Sequence, residues 1–216
     1  MERLVILGTG GHGREILDVV EAINEQKPTY EVAGFLDDRE DHLYLLQERR
    51  TSYLGALDQL KAIDALFVVG IGDGVVRRKV AIAAELIGTS APALIHPSAT
   101  RGARVSIGCG TVVCSHVSIT TNIEIGQHVS LNSNCTVGHD SVLEDFVTVM
   151  PGATVSGNVR IGEASMVGTN AAIIQGVRVG REVKIGAGAA VIRDLPDYIT
   201  AVGVPARIIG IPHDLS

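Results

Sequence analysis

Every sixth residue from Ile107 to Val191 is aliphatic, in the series Ile107, Val113, Ile119, Ile125, Leu131, Val137, Leu143, Val149, Val155, Ile161, Val167, Ile173, Val179, Ile185, Val191. Two places before each stands a residue that is mostly small or β-branched, such as Val117, Val129, Cys135, Ala153 and Ala171. The residue just after is often glycine, as at Gly108, Gly126, Gly138, Gly162, Gly168, Gly180 and Gly186. A period of six fits neither a helix, with about 3.6 residues per turn, nor an alternating strand. It predicts a hexapeptide-repeat parallel β-helix, in which each hexapeptide is one short strand and one corner. The aliphatic residues point inward and stack, while glycine or asparagine takes the positive φ that corners require. Three hexapeptides close a triangular coil, so this run predicts about five coils and a prism roughly 24 Å tall.

The first ninety or so residues follow another rule. Arg3–Leu7 reads as a buried strand, and the glycine loop Gly8-Thr9-Gly10-Gly11-His12-Gly13 leads from it into a helix with Ile16, Val19, Val20 and Ile23 on one face. Tyr30–Leu36 reads as a second strand ending at Asp37-Asp38. A polar stretch through Arg50 follows, then a short strand and helix over roughly 52–62. Ala65–Ile71 is another apolar strand, ending at Gly72-Asp73, with a helix from about Val75 to Ile87. Alternating strands and helices imply a small parallel α/β domain over residues 1–92, joined to a solenoid domain over 93–216.

Composition narrows the possible partners. A net charge of −6 argues against nucleic acid, and 3% aromatic residues with no tryptophan suit narrow coils filled by Val, Ile and Ala. No apolar run approaches the roughly 18 residues of a membrane span, and the N-terminus lacks a signal-peptide core. Three cysteines, Cys109, Cys114 and Cys135, lie within the repeat. Cys135 falls on an inward position and reads as a packed thiol, which with the rest points to the cytoplasm.

Ligands of parallel α/β sheets bind at the carboxyl ends of the strands, where the glycine loop, Asp37-Asp38 and Gly72-Asp73 all fall. Gly8, Gly10 and Gly13 match the dinucleotide fingerprint, so a nicotinamide-dependent oxidoreductase is one reading. It leaves fifteen repeats without a task. The other reading is that backbone N–H groups at the helix start receive phosphate or a polar sugar.

The hexapeptide series resembles the left-handed β-helix acyltransferases, which are typically trimers binding acetyl-CoA between neighbouring prisms. With the GTGGHG loop ahead of it and Val202-Gly203-Val204-Pro205-Ala206-Arg207 closing it, nearly the whole chain resembles one subgroup. These are the bacterial N-acetyltransferases of nucleotide-linked 4-amino-4,6-dideoxy sugars, together with the related sialic acid O-acetyltransferases. The resemblance implies a homotrimer with sites at subunit interfaces, acetyl-CoA as co-substrate, and a nucleotide-sugar held by the α/β domain. By motif, Gly10, Gly11, His12, Asp37, Asp38 and Gly72 would contact that sugar nucleotide, and Asp73 joins them by proximity. His139 would be the general base with Asp140 as its partner, a pairing that suits proton removal from an attacking amine at neutral pH. The backbone N–H of Gly157 would serve the oxyanion, and Thr148, Thr169 and Ala187 would line the coenzyme groove.

Residues 176–210 add Arg178, Arg181, Lys184, Arg193 and Arg207 against Glu182, Asp194 and Asp197, five cations to three acids, a modest attraction for a polyanion. A solenoid carbonic anhydrase would need zinc-binding histidines at a spacing this repeat lacks, so no metal is expected. Within the acetyltransferase reading, N- and O-acetylation are barely distinguished.

Overall fold

The computed structural model describes residues 1–41, 43–87 and 90–210. Three strands, β1 (Glu2–Leu7), β2 (Tyr30–Leu36) and β3 (Leu66–Val69), form a parallel sheet in the order β2-β1-β3. Leu7 is in register with Leu36 on one side and Val69 on the other, so all three strands end at one level. Central β1 is buried from Leu4 to Leu7, as an unbroken aliphatic run in a parallel sheet requires. Helix α1 (Gly11–Gln26) buries Ile16, Leu17, Val19 and Val20.

Between β2 and β3 the chain departs from expectation. A helix, α2 (Leu43–Glu48), stands in the stretch expected to be merely polar, anchored by buried Leu46. The short strand expected near Ser52 shrinks to a single bridge between Tyr53 and Phe35 before a 3-10 turn at Leu57–Ala62. Helix α3 (Gly74–Glu85) completes the unit.

The rest is a three-sided parallel solenoid of the left-handed β-helix class. Face 1 carries Leu94–Ile95, Val112–Val113, Ser130–Leu131, Thr148–Val149, Met166–Val167 and Lys184–Ile185. Face 2 runs from Thr100–Arg101 to Ala190–Val191, and face 3 from Val105–Ile107 to Arg178–Val179. Strands pair at a spacing of one coil: Leu131 lies between Val113 and Val149. The inward aliphatics merge into one continuous core, which includes Cys135 at 0% exposure. All three cysteines are free thiols, Cys114 buried and Cys109 exposed.

The first coil begins one turn before the unbroken series, because Leu94–Ile95 pairs with Val112–Val113 and Thr100–Arg101 with Ser118–Ile119. Arg101 occupies an aliphatic position there, and it is exposed at the end of the prism. The other end is closed by a hairpin of Thr200–Val202 with Arg207–Gly210. Residues 211–216, the end of the expected solenoid domain, lie outside the described residues.

The corners correct one expectation. Positive φ recurs every six residues, but three places after the inward aliphatic, and mostly at other residues than glycine, among them Asn122, Asn134, Asp140, Asn158 and Asn170. The glycine directly after the aliphatic answers a different need. A Cβ on Gly138 would stand 2.6 Å from the Gly157 nitrogen, so the coils approach too closely there for any side chain.

The α/β domain rests on face 1 and on the corner between faces 3 and 1. Leu94, Val112 and Cys114 join one of its apolar clusters, and Phe146 and Ala164 the other. No helix among the described residues is long and apolar enough to cross a membrane.

Candidate active site

A cleft of about 550 Å3 opens where β1, β2 and β3 end, lined by Gly10, Gly11, His12, Asp37, Asp38 and Gly72 among others. The glycine loop divides its labour. Gly8 has φ +115, and a Cβ on Gly13 would overlap the Gly8 carbonyl, so these two make the tight turn. A Cβ on Gly10, Gly11 or Gly72 would meet only open space. Gly10 precedes helix α1 as an N-cap with no side-chain cap and no acid in the first turn, and Gly10, Gly11 and His12 line the cleft at that uncapped end.

The two aspartates differ. Asp37 accepts from the Thr9 nitrogen at 2.8 Å, the Thr9 hydroxyl at 2.9 Å and the Arg39 nitrogen at 3.0 Å. Burial pushes its carboxyl pKa upward, but those bonds outweigh burial and hold it below the ordinary aspartate value. Asp37 therefore ties the glycine loop to β2. Among the described residues Asp38 accepts only from the Leu57 nitrogen, at 3.0 Å, through Oδ1. His12 reaches across to the solenoid, with Nε2 3.0 Å from the Ser130 hydroxyl and Nδ1 3.3 Å from Glu15.

Two of the expected ligands, Asp73 and Thr148, make bonds within the scaffold. Asp73 does not line the cleft; it caps α3 by accepting from the Val76 nitrogen at 3.0 Å. Thr148, expected in the coenzyme groove, is 1% exposed and sits at the domain junction. It donates to the Gly72 carbonyl at 2.9 Å and accepts from Arg77 at 2.9 Å. Arg77 is the centre of that junction. Its buried guanidinium also donates to the carbonyls of His128, Ile71, Gly72, Phe146 and Val147, and burial lowers its pKa to about 10. Beside it the His128 ring lies stacked between Phe67 and Phe146.

His139 stands at the corner between faces 2 and 3, half exposed. Its Nδ1 is 2.7 Å from Asp140 Oδ2, and Asn122 Nδ2 donates to Asp140 Oδ1 at 2.6 Å. Those bonds, His139 first and Asn122 second, hold the Asp140 carboxyl below its ordinary value. The far side of the ring lies over Gly157, where a Cβ would overlap Nε2. Glycine one coil on is what gives the imidazole its place. Thr169 and Ala187 stack one coil apart at the corner between faces 1 and 2, with Ala187 exposed and Thr169 half-buried.

A triangular prism separates these groups. The corner bearing His139 is opposite face 1, against which the cleft is built. The chain matches the family profile described as the PglD N-terminal domain over residues 3–83. It is 30% identical over 176 residues to GDP-perosamine N-acetyltransferase of Escherichia coli O157:H7, covering 79% of this chain and 77% of that protein. The chain belongs to the nucleotide-sugar N-acetyltransferase family. Among solved acetyltransferases of this family, PerB from Caulobacter crescentus in complex with CoA and GDP-perosamine superposes with a TM-score of 0.89. It is 31% identical, with 97% and 98% of the two chains covered. The acetyltransferase domain of PglB from Neisseria gonorrhoeae in complex with acetyl coenzyme A gives 0.86 and 33%, over 96% and 99%. The protein is thus an acetyltransferase of the left-handed β-helix class.

Sequence reasoning passed over Arg77, Ser130 and Asn122. Arg77 did carry a signal: with Gly74, Ala81 and Ala84 it forms the buried stripe of α3, where a charge demands partners. Ser130 and Asn122 carried none, since polar side chains on a solenoid surface are ordinary.

Proposed function

We propose that this acetyltransferase moves the acetyl group of acetyl-CoA onto the 4-amino group of a nucleotide-linked 4-amino-4,6-dideoxy sugar for surface glycan synthesis. The reading is carried by the His139–Asp140 pair lying over Gly157, in a family whose solved relatives hold CoA and GDP-perosamine. The sugar amine attacks the thioester carbonyl, and His139 Nε2 takes the proton as the new C–N bond forms. Asp140 faces Nδ1 and steadies the ring that becomes imidazolium. Among the described residues the Gly157 N–H has no acceptor within the chain, which leaves it free for the oxyanion. Such a donor contributes about 3 to 4 kcal/mol to lowering the barrier. Collapse breaks the C–S bond, and the departing thiolate recovers the proton from His139.

The α/β cleft receives the nucleotide. The uncapped N-terminus of α1 suits its phosphates and the Asp38 carboxylate suits a ribose or base donor. Because the cleft and His139 lie on opposite sides of one prism, the substrate bound by one chain meets the imidazole of its neighbour. Homotrimeric assembly, with Thr169 and Ala187 beside the coenzyme, provides that meeting.

Two measurements test the reading. CoA thiol release from acetyl-CoA should appear only with an amino-sugar nucleotide, among UDP-, dTDP- and GDP-linked candidates; turnover with sialic acid alone would replace it by O-acetylation. Co-assembly of His139→Ala chains with Gly11→Leu chains, each inactive alone, should restore about a quarter of wild-type activity, since random pairing leaves that share of sites intact. A mixture as dead as its parents would place the whole site within one chain.

A further inference from the structure

We propose that Asn122 is a positioning residue for acetyl transfer, holding the Asp140 carboxylate in the one orientation that fixes the His139 ring. The inference rests on His139 being the base.

An aspartate that is half exposed rotates freely unless both oxygens are engaged. Here each oxygen has its own partner: Oδ1 accepts from Asn122 Nδ2 at 2.6 Å, and Oδ2 faces His139 Nδ1 at 2.7 Å. Asn122 and Asp140 occupy the same corner position one coil apart, with φ of +59 and +60, so the backbone stacks the amide directly against the carboxylate. Asn134, Asn158 and Asn170 stand at equivalent left-handed positions, yet among the described residues none of them donates to a carboxylate. One coil on from those three stand Gly152, Gly176 and Gly188, so the pairing needs both the asparagine and the carboxylate above it, and Asn122 with Asp140 supplies both. Arg160 and Arg178 line the depression beside Asp140, but Arg160 is held by Glu144 and among the described residues neither guanidinium pairs with Asp140, so the amide rather than a cation sets the carboxylate. With Nδ1 committed to Asp140, the base nitrogen is Nε2, over Gly157.

Asn122→Gly removes the donor without straining a left-handed corner. It should lower kcat about tenfold, the lower end for a group that orients a functional imidazole through its neighbour, while KM for both substrates and the thermal midpoint hold. Asn122→Asp puts a second carboxylate against Asp140. It should move the acidic limb of the kcat/KM profile to higher pH, because added negative charge favours the imidazolium. In an Asp140→Ala background, Asn122→Gly should have no further effect. Wild-type kcat with superimposable pH profiles, or an equal loss in both backgrounds, overturns the assignment. His139→Ala measured alongside separates the failures. An active His139→Ala sinks the base assignment and this inference with it, whereas an inactive one beside a fully active Asn122→Gly sinks only the placement of Asn122.

Discussion

Replacing His139 by alanine should reduce turnover at least about a hundredfold, the contribution expected of a positioned general base, with the assembly intact. The side chain is half exposed at a corner and belongs to no apolar core, so its loss leaves the coils stacked as before. Its chemistry has no substitute at that corner. Asp140 is a weak base, its carboxyl held below the ordinary aspartate value by the His139 and Asn122 bonds, and it remains anionic through the neutral range. Steady-state kinetics beside a sizing measurement would check both halves of the statement. Unchanged turnover would remove His139 from the chemistry and leave the oxyanion donor and substrate alignment as the sources of rate.

The largest effect on stability is expected at Arg77. Arg77→Met fills similar space with an apolar chain, but among the described residues it leaves the carbonyls of His128, Ile71 and Phe146 without a donor, while Gly72 keeps Thr148 and Val147 keeps the Ser130 nitrogen. At about 1–3 kcal/mol for each buried acceptor left unpaired, the loss is at least about 3 kcal/mol. For a chain of this size that corresponds to a fall of roughly 10 °C in the thermal midpoint. Arg77→Lys should lose a large part of the same stability, since an ammonium has three donors and no fork. Scanning calorimetry at fixed protein concentration would decide, and a midpoint unchanged by Arg77→Met would mean that the junction is held by apolar packing alone. The same guanidinium bonds fix the Ile71 and Gly72 carbonyls at the rim of the α/β cleft, so a loosened junction should also loosen the cleft.

The solenoid was legible residue by residue because its pattern is local. A side chain's phase within six residues decides whether it points inward, and fifteen repeats state the same rule. Arg101 hid the first coil because an exposed end tolerates a charge where an interior coil would not. The glycines at Gly138 and its counterparts were noticed for the wrong reason: close approach between coils depends on residues eighteen places away, and φ alone does not reveal it. The glycine loop, the acidic pair and the His139–Asp140 dipeptide were likewise visible, since each is a short contiguous motif.

Separation along the chain hid the remainder. Asp37 and Asp38 look alike as neighbours, yet folding ties one to the glycine loop and the other to the Leu57 nitrogen. Nothing local to Thr148 shows that the α/β domain seats on face 1, where Gly72 and Arg77 bond it from more than seventy residues away. The chain's own order of residues determined the prism, its partner domain and the candidate motifs of the site. Only the tertiary structure decided which polar groups stay available, because that depends on which distant segments have already bound them. The same seating puts the cleft and the imidazole on opposite sides of one prism, a separation that no stretch of sequence displays.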